Sequence, residues 1–367
     1  MICINASNLH VGGGVQVAAS FINELFLSDL DYQIFCVVSV EVSNVLYYQK
    51  KPDNINIFVL DANGPLDTFK KTFLFRRFFK QYRITTVFSV FGPTYLLVPK
   101  NIKHIVGFAN AWILFPKSKA YSLMGVKSRI LKRFRYFIYE LDFLFNSDEL
   151  VVETKTVAKE LSNTLFLAKK KNYVVENCVS SIYESKELWK VIDYERPVVD
   201  LVFCTIANDY IHKNLDIIPQ VARVLRDKYN LTTQFIVTLK PESYEKKTSD
   251  FKSCTFNLGV ILPSQCPYIY LASDAVFLPS LLECYSANYP EAIFMEKLIF
   301  TSNLPFAHEA CGDSAFYFDP LDPNDIAKVI FENYTAVFRK PDNPNLVLQT
   351  AHHRMMQYIN IIQGAYS

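Results

Sequence analysis

The sequence predicts an α/β protein made of two parallel sheets, and three observations carry that prediction. Apolar runs of strand length alternate with stretches of helical periodicity along the whole chain. The first such run is followed by three consecutive glycines that open a helix. A later run, Asp274 to Leu278, breaks at Pro279 into a loop carrying Glu283, and a helix then opens around Glu291. Strands that alternate with helices lie parallel, and ligands of open parallel sheets bind beyond the C-terminal strand ends. A length of 367 residues fits about two domains. With half of the residues hydrophobic and 20% charged, two cores can be filled.

Ile2 to Ala6 reads as the first strand. Gly12, Gly13 and Gly14 follow, and Val15, Ala18, Ala19, Ile22, Leu25 and Phe26 recur at helical spacing. Three of the chain's ten glycines fall here. They let the backbone approach a ligand closely, and the helix start offers free N–H groups to a phosphate, so Gly13 and Gly14 are candidate binding positions. A simple turn is the competing reading, because no G-x-G-x-x-G is present. Further strands are expected at Tyr32–Val40, Ile55–Leu60, Thr86–Phe91, His104–Phe108, Glu149–Glu153 and Tyr173–Glu176, with a helix at Thr156–Leu167.

The polar stretch 180–197 reads as a linker. A second series follows, with strands at Asp200–Thr205, Gln234–Leu239, Thr255–Leu258, Asp274–Leu278, Leu298–Ser302 and Ala315–Phe318. Helices fit at Asn214–Lys228, Gln265–Ala272, Ala287–Glu296, Asp325–Phe338 and Leu348–Ile362. The expected division is 1–179, linker 180–197, 198–346, and a C-terminal helix in 347–367 that packs back on the first domain. Both domains are Rossmann-like, and the cleft between them is the expected ligand site.

Charge is unevenly spread. The chain's net charge is only +2, yet Phe69 to Arg135 holds fifteen Lys and Arg and no Asp or Glu. Cations and aromatics interleave in 69–83 and again in 126–137, as in surface helices that lie on anionic lipid. A solvated face over an ordinary core is the alternative. Nucleic acid is not the expected partner, since no nucleic-acid module is recognisable. The eight cysteines form no C-x-x-C pair and fit a reducing compartment, and no signal peptide or membrane-length apolar run is present. The expected location is cytoplasmic, peripheral on the inner face of the membrane. One Asp-x-Asp, Asp29 to Asp31, falls at the edge of the sheet away from ligands and reads as a turn, so no metal is expected.

From Thr205 to Val329, and most densely from Asn257, the chain resembles the retaining glycosyltransferases of the GT-B fold, specifically family 4. The resemblance is carried by NLGVILPSQCPYIYLASDAVFLPSLLECYSANYPEA and LIFTSNLPFAHEACGDSAFYFDPLDPNDIA. It implies that Glu283 contacts the donor sugar and that Glu291 accepts hydrogen bonds from the ribose hydroxyls. Backbone N–H groups around Cys284, Tyr285 and Ser286 would face the diphosphate, although the family has glycines where this chain has Cys284 and Ser286. Gly259 matches the glycine after a strand. Lys213 matches the diphosphate-binding lysine before a helix, whereas Asn208 stands where the family carries a basic residue. Asn110 falls nearest the place of a first-domain histidine beside the reacting sugar. Trp112 and 92–95 are either part of the same cleft or core packing.

The implied activity is metal-independent, retaining transfer of a hexosyl or N-acetylhexosaminyl unit from a UDP- or GDP-linked sugar, with no cofactor. In the family the departing phosphate assists deprotonation of the acceptor. The basic aromatic segments suggest a polyprenyl-diphosphate-linked glycan acceptor at an anionic membrane, as in bacterial O-antigen or capsule synthesis. Two alternatives are a sugar-nucleotide 2-epimerase of related architecture and a non-catalytic glycan- or partner-binding subunit.

Overall fold

The computed structural model of the chain describes residues 1–60, 65–335 and 348–365, and the side chains of all of these but 65–70. It divides into two compact units. Met1–Pro116, Gly125–Ser180 and Gln349–Ser367 form unit 1; Lys117–Met124 and Ser181–Leu348 form unit 2. The expected end of one helix at Phe338 and the boundary at 346 lie outside the described residues.

Unit 1 holds β1 (Ile2–Ala6), β2 (Ile34–Val38), β3 (Ile55–Val59), β4 (Thr86–Ser89), β5 (Lys103–Phe108), β6 (Glu149–Val152) and β7 (Lys171–Val174). They pair in the order β3-β2-β1-β4-β5-β6-β7, and every pairing is parallel. The helices are α1 (Gly13–Phe26), α2 (Val40–Ser43), α3 (Pro65–Gln81), α4 (Ala111–Leu114), α5 (Val126–Asn146) and α6 (Lys155–Leu161). Strands such as β2, IFCVV, are buried along their whole length, as a sheet covered on both faces requires.

Unit 2 holds β8 (Leu201–Thr205), β9 (Thr233–Val237), β10 (Thr255–Asn257), β11 (Ala275–Leu278), β12 (Leu298–Ser302) and β13 (Ala315–Phe318), in the order β10-β9-β8-β11-β12-β13. These pairings are parallel too. Its helices are α7 (Ile218–Tyr229), α8 (Pro241–Tyr244), α9 (Ser249–Cys254), α10 (Cys266–Ala272), α11 (Asn288–Phe294), α12 (Pro305–Cys311) and α13 (Pro323–Asn333). From 181 on, the stretch expected as a linker belongs to this unit. Arg196 makes two hydrogen bonds to Asp274, at 3.0 and 2.7 Å, and the Tyr194 hydroxyl donates to Gln234.

Two helices depart from the sequence expectation for local reasons. Thr156–Leu167 stops as α6 at Leu161, where the backbone bonds tighten to i→i−3 and the Ser162 and Thr164 hydroxyls add second bonds to the carbonyls of Lys159 and Leu161. The helix expected from Asn214 begins only at Ile218. Asn214 has a left-handed φ of 54°, and its side chain donates to Pro320 O at 2.7 Å. Short 3₁₀ turns on either side absorb the difference.

The two basic aromatic segments differ in what they bury. In α3, Phe75 and Phe79 are buried in a core with Val37 and Val87, while Arg76 and Arg77 are exposed, so much of this segment is an ordinary amphipathic helix. Phe69 and Lys70 lie outside the described side chains. In α5 only Asp142 and Phe143 are buried. Val126, Ile130, Leu131, Phe134 and Phe137 are exposed among Lys127, Arg133 and Arg135.

The C-terminal helix α14 (Ala351–Gln363) belongs to unit 1, where Met355, Tyr358, Ile359 and Ile362 join the core formed by Phe21, Ile22 and Phe88. Its Arg354 is 1% exposed and donates to Asn177 Oδ1 at 2.5 Å and Ser20 Oγ at 2.8 Å. These bonds offset the cost of burying the guanidinium, although its Nε has no hydrogen-bond partner among the described residues. Replacing Arg354 with Met keeps most of the volume but removes one donor from Asn177 Oδ1, which retains Cys178 N, and one from Ser20 Oγ. The expected cost is about 3 kcal/mol, read as a lowered urea midpoint.

Candidate donor-binding site

In unit 2 the first strand of the sheet, β8, lies between β9 and β11. The connections leaving β8 and β11 therefore diverge from neighbouring strands at the edge where ligands of open sheets bind. The first connection carries Asn208 and Lys213; the second carries Glu283 to Ser286. Leu281 N donates to His212 O at 2.7 Å and joins the two loops directly. Thr205 Oγ1 bonds Phe277 O beneath them.

The junction brings Lys213 Nζ to 2.5 Å from Glu283 Oε1. The side chains are 15% and 9% exposed, so this is a nearly buried ion pair. Seventy residues of chain separate the partners, and the strand order closes that distance. Burial makes the pair sensitive to its surroundings: with one partner gone, the other is an uncompensated charge. An anionic group and a set of hydroxyls could together replace this contact, the first on the ammonium and the second on the carboxylate.

Asn208 sits in the same loop, where its carbonyl accepts from Tyr210 N at 2.8 Å. Cys284 and Ser286 are buried, and Tyr285 is half-buried, directly after Glu283. Ser286 Oγ accepts from Asn288 Nδ2 at 3.3 Å, and Asn288 also donates to Ile206 O, so the two loops meet a second time. Gly259 stands apart, beyond edge strand β10 and two positions from β8 in the sheet. It has a φ of +73°, a conformation glycine adopts without strain.

Glu291, one helical turn into α11, has a different environment from Glu283. Its Oε2 accepts from the Tyr270 hydroxyl at 2.8 Å, and the same hydroxyl lies 3.1 Å from Asn288 Oδ1. Desolvation pushes its pKa up from 4.5 to about 7, and the Tyr270 and Tyr183 hydroxyls oppose that rise. Tyr183 acts on the charge from nearby without making a hydrogen bond of proper geometry. Tyr270 and Tyr183 were not among the sequence candidates. Tyrosines in an apolar helix and a polar connecting stretch give no local signal of pointing at a carboxylate.

The remaining candidates belong to unit 1. Gly12 takes a φ of 68°, and Gly13 starts α1 beside open space, with nothing within 4 Å of an added Cβ. At Gly14 a Cβ would come within 3.3 Å of Leu9. Asn110 precedes α4, beyond β5, and its buried Oδ1 has no hydrogen-bond partner among the described residues. Trp112 is packed beneath α5: it stacks on Tyr136 at 6.0 Å between ring centroids, and the Lys132 ammonium lies 3.4 Å from its ring. Asp29 to Asp31 occupies the turn between α1 and β2.

No protein-family model matches the sequence, and no curated protein does. Solved structures do match. A glycosyltransferase from Rickettsia africae is 13% identical, with a TM-score of 0.68 over 99% of this chain and 98% of that one. WaaG, a glycosyltransferase involved in lipopolysaccharide biosynthesis, is also 13% identical, with a TM-score of 0.68 over 99% of this chain and all of that one. A trehalose-6-phosphate protein from E. coli bound with UDP-2-fluoro glucose is 11% identical, with a TM-score of 0.61 over 99% of each chain. This likeness shows the fold, GT-B with two Rossmann-like parallel sheets.

The raised pKa of Glu291 makes a stability prediction. Its proton is held more tightly in the folded than in the unfolded chain, so stability falls as pH rises from about 4.5 to about 7. The loss is on the order of 3 kcal/mol. Glu291→Gln should melt well above the parent at pH 8 and close to it at pH 4.5. Equal stabilisation at both pH values would show that the carboxyl titrates normally.

Proposed function

We propose that the chain is a glycosyltransferase that binds a nucleotide diphosphate sugar in unit 2. The observation that supports this best is the Lys213–Glu283 pair between the loops leaving β8 and β11, with Glu291 eight residues farther on. On this reading the donor's diphosphate takes the Lys213 ammonium, its sugar hydroxyls take Glu283, and its ribose hydroxyls take Glu291. A cation at the diphosphate stabilises the charge that develops as the leaving group departs. Backbone N–H groups of 284–286 add neutral donors, and Asn208 contributes a polar contact without charge. Gly259 gives the nucleotide room at the far side of the sheet.

The finer reading is retaining, metal-independent transfer of a hexosyl or N-acetylhexosaminyl unit from a UDP- or GDP-linked donor. Gly13 and Gly14 offer the start of α1 to a phosphate, and Asn110 serves the acceptor side in unit 1. The acceptor is a polyprenyl-diphosphate-linked glycan of bacterial surface polysaccharide synthesis, met at the inner face of the membrane. No helix among the described residues is long and apolar enough to cross a membrane. Helix α5 supports peripheral contact instead, because exposed Ile130, Leu131, Phe134 and Phe137 stand among exposed Lys127, Arg133 and Arg135. Large apolar side chains left in water beside cations suit a surface that is apolar within and anionic at its face. In α3, Phe75 and Phe79 are spent on the core and Phe73 and Leu74 are exposed, so α5, where only Asp142 and Phe143 are buried, is the principal contact.

Lys213→Ala and Glu291→Ala should each weaken UDP or GDP binding in calorimetry. A lost charge-assisted bond is worth about 1.5–3 kcal/mol, or roughly 10- to 100-fold in affinity. Unchanged affinity in both variants would sink the donor assignment. The membrane contact has its own measurement. Replacing Lys127, Arg133 and Arg135 with Gln should weaken sedimentation with phosphatidylserine-containing vesicles by roughly 100-fold, at about 1 kcal/mol per cation. Equal sedimentation of parent and triple variant would remove α5 from the membrane.

A further inference from the structure

Helix α5 carries a groove as well as a face. Leu131, Phe134, Arg135, Ile138 and Tyr139 recur at three- and four-residue spacing and so share one side of the helix. With Tyr95, from the segment after β4, they line an open cavity of about 470 Å³. That falls within the roughly 300–1,000 Å³ of small-ligand sites. All six residues belong to unit 1.

A buried acid builds the wall of this groove. Asp142 continues the same side of α5 one turn beyond Ile138. Its carboxylate accepts from Thr94 N at 2.9 Å, from Tyr95 N at 3.1 Å and from Asn146 Nδ2 at 2.6 Å. These bonds hold Tyr95 at a φ of 50°, a conformation that is costly for a bulky residue. The Tyr95 ring meets Tyr139 edge-on, 6.0 Å between centroids, and Tyr139 meets Tyr136 at 5.3 Å. A strained aromatic is thus fixed beside an otherwise bare stripe of the helix.

The stripe is apolar, and its charge has one sign. Leu131 and Phe134 are 69% and 62% exposed, and Ile138 is exposed beside them. Lys132 is engaged by the Trp112 ring, whereas Arg135 has no hydrogen-bond or ion-pair partner among the described residues. A free guanidinium next to an apolar slot matches a molecule with a hydrocarbon chain and a phosphate head. From Leu131 to Tyr139 the helix rises about 12 Å, which gives length for a single chain. A second copy of the protein docked face to face would set cation against cation, because residues 69–135 hold fifteen Lys and Arg and no acid.

We propose that this groove binds the hydrocarbon chain of a single-chained lipid phosphate, with the chain between Tyr95 and α5 and the phosphate on Arg135. This rests on the reading of α5 as the membrane contact and gives it a site for one lipid molecule. The polyprenyl-linked acceptor proposed above belongs to that chemical class, whereas the common phospholipids carry two chains.

The test is calorimetry on the full chain with farnesyl phosphate at monomeric concentration. One molecule should bind per chain. Each carbon taken from water is worth about fourfold in affinity, so geranyl phosphate, one isoprene unit shorter, should bind at least about tenfold more weakly. Farnesol and inorganic phosphate, each lacking one half of the ligand, should also bind more weakly. Arg135→Gln should weaken farnesyl phosphate roughly 10- to 100-fold and leave farnesol unchanged, which a general loss of structure would not do. Ile138→Trp should fill the groove and abolish binding of both at the parent melting temperature. Farnesyl phosphate that binds no tighter than inorganic phosphate overturns the site, as does equal binding to the Ile138→Trp variant. Tighter binding of dihexanoylphosphatidic acid, or a dimer of the parent chain that Ile138→Trp dissociates, overturns the proposed occupant. If the parent sediments with phosphatidylserine vesicles but does not bind farnesyl phosphate, the groove is rejected and the membrane contact stands. If it does not sediment, the membrane contact fails, and the farnesyl phosphate titrations alone decide the groove.

Discussion

Parallel strand order is the constraint from which the rest of this molecule follows. A parallel strand ends at the same sheet edge as its neighbour, so every connection must leave on one side and return along a face. In both sheets the first strand is central, flanked by the second strand on one side and by a later strand on the other. Connections from those two strands part in opposite directions, and the backbone leaves room between them. Lys213 and Glu283 meet in unit 2 because β8 lies beside β11. In unit 1, Asn8 reaches the carbonyls of Phe91 and Pro93 because β1 lies beside β4. The cores supply the rigidity, since the strands beneath each site are fully buried and permit little sliding.

Within that frame the two carboxylates of unit 2 have been given unequal surroundings. Glu283 faces an ammonium and is charged beside a charge. Glu291 faces phenol hydroxyls and has its pKa pushed to about 7 by burial. A carboxylate matched by a cation is ready to exchange that partner for another polar group, whereas one lodged among tyrosines gains from any ligand that brings hydroxyl donors and supports the ionised form. The two carboxylates therefore start from different balances of charge and solvation.

The fold was largely legible in the sequence because a parallel sheet covered on both faces leaves an unmistakable trace. IFCVV and AVFL are apolar throughout and LVFCT is so up to Thr205, and each is a strand as read. Strand ends were less legible. Val40 was expected to close β2 and instead enters α2, because Ser39 caps a helix there. The late start of α7 depends on Asn214 reaching Pro320, a contact 106 residues away that no local pattern encodes. In the candidate site, Lys213, Glu283 and Glu291 were visible through their order along the chain. Their partners were not: Tyr270 and Tyr183 are defined by where their hydroxyls point. For α3 and α5 the sequence showed the same mixture of cations and aromatics, and only packing separates a helix that buries Phe75 and Phe79 from one that leaves Phe134 and Phe137 in water.

Each sheet places a basic side chain after its first strand and a carboxylate from a neighbouring connection against it, and the two pairs differ in depth. Lys213 and Glu283 are 15% and 9% exposed, while His10 and Glu41 are 27% and 40% exposed. A contact between charges is strongest where water is scarce, because the local dielectric is low. The drier Lys213–Glu283 pair is therefore the one in which loss of either partner leaves an uncompensated charge, whereas solvent screens the wetter His10–Glu41 contact and its removal costs little.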